Sequence, residues 1–177
     1  MIRLNDIKKM LTLSLGVGIL ALGVTNAHAA TVQLCAGATT KVMPDGVTVP
    51  MWGFAPGTAA AGACNGTVEI PGPPIVIDPA DPTLTVELTN TLAVPVSLII
   101  TGQSLPTNGT AGSITPVYNA NGRVRSFVHE TAAGTTANYV WANINVGSHI
   151  YHSATHQQTQ VAMGLYGALT KDNALNQ

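Results

Sequence analysis

Residues 75–100 read IVIDPADPTLTVELTNTLAVPVSLII, and this stretch decides the fold class. Leu84, Val86 and Leu88 recur at every second position with polar residues between them, which is the pattern of a β-strand with one buried face and one wet face. Turn signals rich in Asp, Pro and Asn separate this strand from an apolar run before it and another after it. The stretch therefore predicts three closely spaced strands.

The same pattern of short strands and turns extends in both directions from this stretch. Further strands are predicted at residues 31–43, 47–54, 124–129, 136–141, 149–153 and 165–169. After residue 29, no window of eleven or more residues has the 3.6-residue period of a helix. The sequence therefore predicts an all-β fold, a Greek-key β-sandwich.

Three local features refine this prediction. In the run Pro71-Gly72-Pro73-Pro74, each residue lacks either an amide donor or a side chain to pack, so we expect the run at a sheet edge. Residues 94–100 are almost continuously apolar, which favours a central strand. Residues 102–122 have no period and are rich in turn-forming residues, so they are predicted to form a long loop.

Residues 1–29 have the three parts of a secretory signal peptide. A basic start precedes an apolar run at residues 10–24, and Ala27-His28-Ala29 matches a cleavage site. A retained membrane anchor is the competing interpretation, but the run is shorter than the roughly 20 residues that span a bilayer. We expect a periplasmic or extracellular protein with a single domain at residues 30–177 and no membrane attachment after cleavage.

The charge of the predicted mature chain excludes one class of partner. Cleavage removes three of the seven basic residues and one of the eight acidic ones, which leaves four basic against seven acidic residues. Nucleic-acid binding depends on basic patches that neutralise phosphates. We therefore expect no nucleic-acid partner.

The chain has two cysteines, Cys35 and Cys64. Because an exported protein meets an oxidising environment, a disulfide between them is the natural prediction. The alternative is a metal-binding cysteine pair, but the spacing is far from C-x-x-C and no histidine lies near either residue.

The chemistry of the chain is concentrated at residues 149–163, which hold three of its five histidines. Imidazole donors suit copper, and zinc is chemically possible. His152 and His156 are the predicted metal ligands, with His149, His129 or Met163 as supplementary donors. The alternative is that His152 is a packed structural residue, with His149 at the surface on the opposite face of the same strand.

Other polar and aromatic residues are predicted to be structural. His129 and Glu130 are adjacent in a strand and so face opposite ways, which favours a surface location over acid–base catalysis. Trp141 and Tyr151 are predicted among the core and rim aromatic residues.

Several motifs together resemble the first cupredoxin domain of multicopper oxidases. Ile70-Pro-Gly-Pro-Pro-Ile75 followed by Leu84-Thr-Val-Glu-Leu-Thr-Asn90 is similar to that domain's P-G-P segment and its "L x V x L x N" strand. The C-terminal runs Gly147-Ser-His-Ile-Tyr-His-Ser153 and Gly164-Leu-Tyr-Gly-Ala-Leu169 resemble the family's "G T x W Y H S H" and "G L Y G x L". The resemblance covers most of the predicted mature chain and implies a sandwich of cupredoxin type.

The same resemblance implies an incomplete copper site. In active members this domain supplies two H-x-H pairs to a trinuclear copper cluster, the first inside an H-W-H-G motif. Residues 97–102 occupy that place here and contain no imidazole, and the second pair is reduced to His152 because position 154 is alanine. His156 is the candidate replacement. Ser153 stands where a blue-copper site has its cysteine thiolate.

The resemblance therefore implies copper as the cofactor, further cupredoxin domains or subunits as partners, and no independent oxidase activity. A metal-free structural or interaction module that kept the sandwich and lost the ligands is the alternative.

Overall fold

The computed structural model describes residues 29–173. Apart from Ala29, the predicted signal peptide at residues 1–29 lies outside the described residues. Within 29–173, no helix is both long enough and apolar enough to cross a membrane.

The described chain folds into strands and one short helix. The strands are β1 (Ala29–Val42), β2 (Thr48–Pro56), β3 (Ala59–Ala60), β4 (Ala63–Cys64), β5 (Gly72–Ile77), β6 (Thr83–Asn90), β7 (Ile99–Ile100), β8 (Val117–Tyr118), β9 (Val124–Ser126), β10 (Thr136–Trp141), β11 (Gly147–His152) and β12 (Tyr166–Lys171). The helix is α1 (Gln157–Gln160).

Two four-stranded sheets form the sandwich. The first has the order β10-β6-β1-β2 and the second the order β5-β12-β11-β7, while β3-β4 and β8-β9 are small hairpins. The pairs β1·β6 and β12·β5 are parallel, and the other neighbours are antiparallel. The all-β sandwich is therefore confirmed.

The core lies between the two sheets and follows the alternation seen in the sequence. Leu84, Val86 and Leu88 of β6 are fully buried. Tyr139 and Trp141 of β10 fill the same interior with no exposed surface, so the prediction for Trp141 is confirmed. Burial of each such side chain stabilises the fold by about 1.5–3 kcal/mol, so the sandwich rather than any single loop positions the site.

The predicted central strand at residues 94–100 is wrong in both length and position. Only Ile99 and Ile100 form a strand, and β7 is at the edge of its sheet. Pro95 has no amide donor, and the preceding turn is held by the Asn90 side chain, which donates to the carbonyls of Val94 (2.8 Å) and Thr131 (3.1 Å). An apolar run here indicates burial rather than continuous pairing.

Three smaller differences concern loops and the last strand. The segment after β2, for which no strand was predicted, contains the hairpin β3-β4, and the predicted loop at residues 102–122 contains β8. The four-residue α1 was missed because it is shorter than any helix window. The last strand was predicted to end at residue 169 but extends to Lys171. Lys171 is 6% exposed, and its Nζ donates to the carbonyls of Asp81 (2.6 Å) and Ile144 (3.1 Å).

The predicted disulfide between Cys35 and Cys64 is confirmed. Their Cα atoms are 5.7 Å apart, and 29 positions separate them in sequence. Cys35 is fully buried in β1, and Cys64 belongs to β4. The bond therefore ties the β3-β4 hairpin to the first sheet.

The proline-rich run lies at a sheet edge, as predicted, within the edge strand β5. Its glycine is needed because a Cβ at Gly72 would meet the Tyr151 hydroxyl and Phe54. A Cβ at Gly167 of the neighbouring β12 would overlap the ring of Tyr151. The Tyr151 hydroxyl donates to the Pro73 carbonyl at 2.7 Å. This fully buried tyrosine fixes β11 between its neighbours, next to His152.

Candidate metal site

Strand β11 carries the histidine segment into the second sheet. Tyr151 points into the core, while Ile150 is 55% exposed on the outer face. His152 shares that outer side by strand alternation and is half-buried. The predicted division of this strand between two faces is confirmed.

His152 has one ring nitrogen fixed and one unused. Its Nδ1 lies 2.9 Å from the Ser153 carbonyl, which can only accept, so Nδ1 carries the proton. Among residues 29–173, no side chain or backbone group hydrogen-bonds its Nε2. A histidine that donates one N–H to a carbonyl is held in the orientation that metal-ligating histidines use. The residue facing it on β7 is Ile99, and on β12 it is Tyr166.

The segment that follows His152 is buried and held by hydroxyl groups. Ser153, Ala154 and Thr155 are at most 2% exposed. The Ser97 hydroxyl lies 3.2 Å from the Ala154 amide nitrogen, 2.9 Å from the Thr155 hydroxyl and 3.0 Å from that of Ser126. These hydrogen bonds tie the backbone between His152 and His156 to Ser97.

His156 ends this segment on the surface. It is exposed and has a left-handed backbone with φ of 40° immediately before α1. Its amide donates to the Arg125 carbonyl at 3.1 Å, which joins it to β9. Its imidazole makes no hydrogen bond to any described residue.

Two clefts meet the His156 side chain. One, of about 150 Å³, is lined by Trp52, Val94 and Gln160 as well. The other, of about 370 Å³, includes Arg123, Arg125 and Phe127. The sequence analysis did not single out the two arginines. The sequence feature that could have identified this pair is the two-residue spacing of the arginines, because residues two apart on a strand share a face.

His149 is not available to a metal through either ring nitrogen. Its Nδ1 lies 3.1 Å from the Thr101 carbonyl and therefore donates, while its Nε2 lies 2.9 Å from the Gln103 amide nitrogen and therefore accepts. His149 is thus a structural residue that holds the loop after β7.

His129 is also committed to the fold. Its ring stacks on Tyr139 with centroids 4.2 Å apart, and its Nε2 donates to the Asn138 carbonyl at 2.8 Å. Burial lowers the pKa of His129, and the hydrogen bond to Asn138 opposes part of that change. Its Nδ1 is buried without a hydrogen-bond partner in the described chain.

The surface location predicted for Glu130 is wrong. Its side chain is 7% exposed and forms a bidentate ion pair with one guanidinium edge of Arg125, through Nε and Nη2. The Thr155 hydroxyl donates to Glu130 Oε1 at 3.0 Å. The carboxylate was misplaced because the strand predicted at residues 124–129 ends at Ser126, and the bend that follows returns Glu130 to Arg125. Hydrogen bonding to Glu130 raises the pKa of Arg125.

These residues do not build a complete copper centre. In the described part of the chain, no three His, Cys, Asp or Glu side chains lie close enough together to hold a metal ion. Ile99 faces His152, and Ala154 supplies only a buried methyl group. Met163 packs in the turn before β12, where its carbonyl accepts the amide of Trp52 at 2.9 Å. A joint site of His152 and His156 stays a prediction.

Comparison with solved structures shows the same sandwich in copper proteins. The multicopper oxidase of Pseudomonas thermotolerans matches with a TM-score of 0.60 and 20% identity, over 83% of this chain and 30% of that chain. The multicopper oxidase mgLAC matches with a TM-score of 0.60 and 18% identity, over 83% and 40%. The copper nitrite reductase of Nitrosomonas europaea matches with a TM-score of 0.56 and 19% identity, over 83% and 42%.

These likenesses show the cupredoxin-type fold, and the chain spans less than half the length of each of these proteins. No protein with a curated description is significantly similar to it in sequence. The family model described as multicopper oxidase matches residues 47–174, which is most of the chain. The chain therefore belongs to the multicopper oxidase family.

Proposed function

We propose that this chain is an exported cupredoxin-like module that pairs with a further cupredoxin domain or subunit and does not oxidise substrates by itself. The observation that carries the proposal is the outer face of the second sheet, β5-β12-β11-β7. Val76 is 75% exposed there and Ile150 55%, with the exposed Ala168 facing Ile150 on the neighbouring strand. Lys171 is the one charged residue of these four strands, and it is buried.

An uncharged sheet face with exposed apolar side chains is costly to leave in water and marks a protein contact. Two observations favour a cupredoxin domain as the occupant. The similar copper proteins are more than twice as long as the matched region, so they contain further chain to pair with such a domain. In addition, His152 lies at the end of this face with Nε2 unused, next to Ile99 rather than a second donor.

The pairing is tested by co-expression with any cupredoxin-domain protein encoded in the neighbouring reading frames. We expect a stable complex on size-exclusion chromatography, and Ile150→Asp should abolish it. Ile114→Asp is the matched control, because Ile114 is 43% exposed in the loop at residues 102–122 and does not belong to this face. Equal effects of the two substitutions, or turnover of a phenolic substrate by the isolated chain, would contradict the proposal.

Copper enters the proposal through His152 and His156. They are the two histidines of the described chain with a ring nitrogen that is neither buried nor hydrogen-bonded to protein. Two imidazoles leave further coordination positions to water or to the partner, so we expect one weakly held Cu(II) ion per isolated chain. The ion would be a Lewis acid or redox centre only when the partner completes the site.

Cu(II) titration followed by EPR and d–d absorption tests this part. His152→Ala and His156→Ala should each remove the stoichiometric signal, and His149→Ala should retain it because both nitrogens of His149 already bind protein. A signal that survives both of the first two substitutions would refute these ligands.

The metal-free interaction module is the second candidate. It is favoured by Ile99 and Ala154, which place apolar groups beside the histidine segment. The absence of stoichiometric Cu(II) binding, together with intact pairing to a cupredoxin partner, would establish it. Export is tested separately by N-terminal sequencing of the secreted protein, for which we expect Ala30 as the first residue.

A further inference from the structure

The larger cleft beside His156 combines positive charge with an apolar wall. It lies between the β8-β9 hairpin and the start of α1, and its volume is about 370 Å³. Ligand pockets begin at roughly this size. The hairpin is held in place by a β-bridge between Ser126 and Thr155 and by the hydrogen bond from the His156 amide to the Arg125 carbonyl. The cleft is therefore part of the sandwich rather than an opening under a free loop.

The charge of the cleft is opposite to that of the chain around it. Residues 29–173 contain four basic and seven acidic side chains, and two of the four, Arg123 and Arg125, line this cleft. No acidic residue lines it. Of the other two basic residues, Lys171 is buried on carbonyl groups and Lys41 lies at the end of β1.

The two arginines have different roles in this cleft. Arg125 is held by Glu130, whose carboxylate the Thr155 hydroxyl also supports, so this pair contributes little net charge but a fixed guanidinium plane. The Arg123 side chain forms no ion pair and no hydrogen bond within the described residues. The backbone amide of Arg123 donates to Asn119 Oδ1 at 3.0 Å. The backbone of Arg123 is therefore fixed, while its guanidinium group has no partner among the described residues.

Apolar groups complete the lining. Phe127 is 48% exposed and Val124 45%, and both line the same cleft as the arginines. Ala154 contributes a methyl group at a position where the family motif has an imidazole. Guanidinium groups recognise planar carboxylates with paired hydrogen bonds, and they also stack on aromatic rings.

We infer that this cleft binds a small organic anion in which a carboxylate is joined to an aromatic or similarly apolar body. Arg123 takes the carboxylate, and Phe127 and Val124 take the apolar part. The inference does not rest on the pairing proposal, because the outer sheet face does not contribute to the cleft. The cleft shares His156 with the copper proposal, so metal is excluded from the test.

The test is an NMR titration of the ¹⁵N-labelled protein with benzoate, in the presence of EDTA to exclude metal effects. We expect saturable shifts confined to the amides of residues 119–127 and 154–158. Acetate supplies the charge without the ring and benzamide the ring without the charge, so each should bind at least about fivefold more weakly than benzoate.

Arg123→Gln and Phe127→Ala should each weaken benzoate binding by at least about fivefold. The control, Lys41→Gln, makes the same change of charge outside the cleft and should leave benzoate binding unaltered. Both cleft residues are exposed, so these variants should retain the wild-type spectrum outside the hairpin. Shifts that do not saturate, equal binding of benzamide, or equal effects of Arg123→Gln and Lys41→Gln would overturn the inference.

Discussion

Breaking the bond between Cys35 and Cys64 should lower the free energy of unfolding by an amount set by the length of chain that it closes. The two residues are 29 positions apart. For a loop of that length, the chain-entropy relation gives a loss of about 3.5 kcal/mol at 25 °C. For a domain of this size, that corresponds to a decrease in Tm of about 7–14 °C.

Urea unfolding of the oxidised protein, of the same protein refolded in reductant, and of the Cys35→Ala/Cys64→Ala variant provides the measurement. Reduction removes the cross-link but keeps both sulfur atoms, so it isolates the loop contribution. The double variant should lose slightly more, since Cys35 is fully buried and its sulfur packs in the core. If the reduced protein unfolds within about 1 kcal/mol of the oxidised one, the loop-closure reasoning is wrong.

Three further changes probe the residues around the site. Glu130→Gln should lower the free energy of unfolding by about 1–3 kcal/mol in urea, since it removes a buried charge paired with Arg125, while the exposed Glu69→Gln should have little effect. Burial lowers the pKa of His129 in the folded state, so the contribution of His129 to the free energy of unfolding should be intact above pH 6.5 and should decrease as the pH falls below that value. The His129→Phe variant should therefore show a smaller difference in unfolding free energy between pH 7.5 and pH 5.0 than the wild-type protein. Gly167→Ala should destabilise the fold severely because its Cβ overlaps the Tyr151 ring, and a double-mutant cycle with Tyr151→Leu should show most of that cost disappearing with the ring.

The sandwich was predictable because alternation reports burial directly. The alternation of Leu84, Val86 and Leu88 with polar residues predicted a strand with one buried face, and all three side chains are fully buried. Strand pairing was harder to predict from the sequence, as residues 94–100 show. Their apolar character indicated burial correctly, but only Ile99 and Ile100 pair in a strand. The carbonyls of Val94 and Pro95 accept hydrogen bonds from the side chains of Asn90 and Gln160, and Val96 forms an isolated bridge with Thr131.

The candidate site was predictable only in part, for a similar reason. Alternation placed His152 and Tyr151 on opposite faces of one strand, and the structure agrees, but alternation did not say which face is in the core. Sequence alone could not show that both ring nitrogens of His149 form hydrogen bonds, because their partners are distant in sequence. Gln103 lies 46 positions before His149, and Thr101 lies 48 positions before it. The pairing of Glu130 with Arg125 was missed because the predicted strand continued to residue 129, whereas β9 ends at Ser126 and the chain bends before Glu130.

The two tryptophans give this protein two separate optical reporters. Trp141 is fully buried, and its indole donates to the Ser104 carbonyl at 3.0 Å, so its emission should follow the unfolding of the core. Trp52 is only partly buried and lines the small cleft with His156. In a Trp141→Phe background, the remaining fluorescence would therefore report on the surroundings of His156, and quenching by a paramagnetic ion would reveal occupancy there at micromolar protein concentrations.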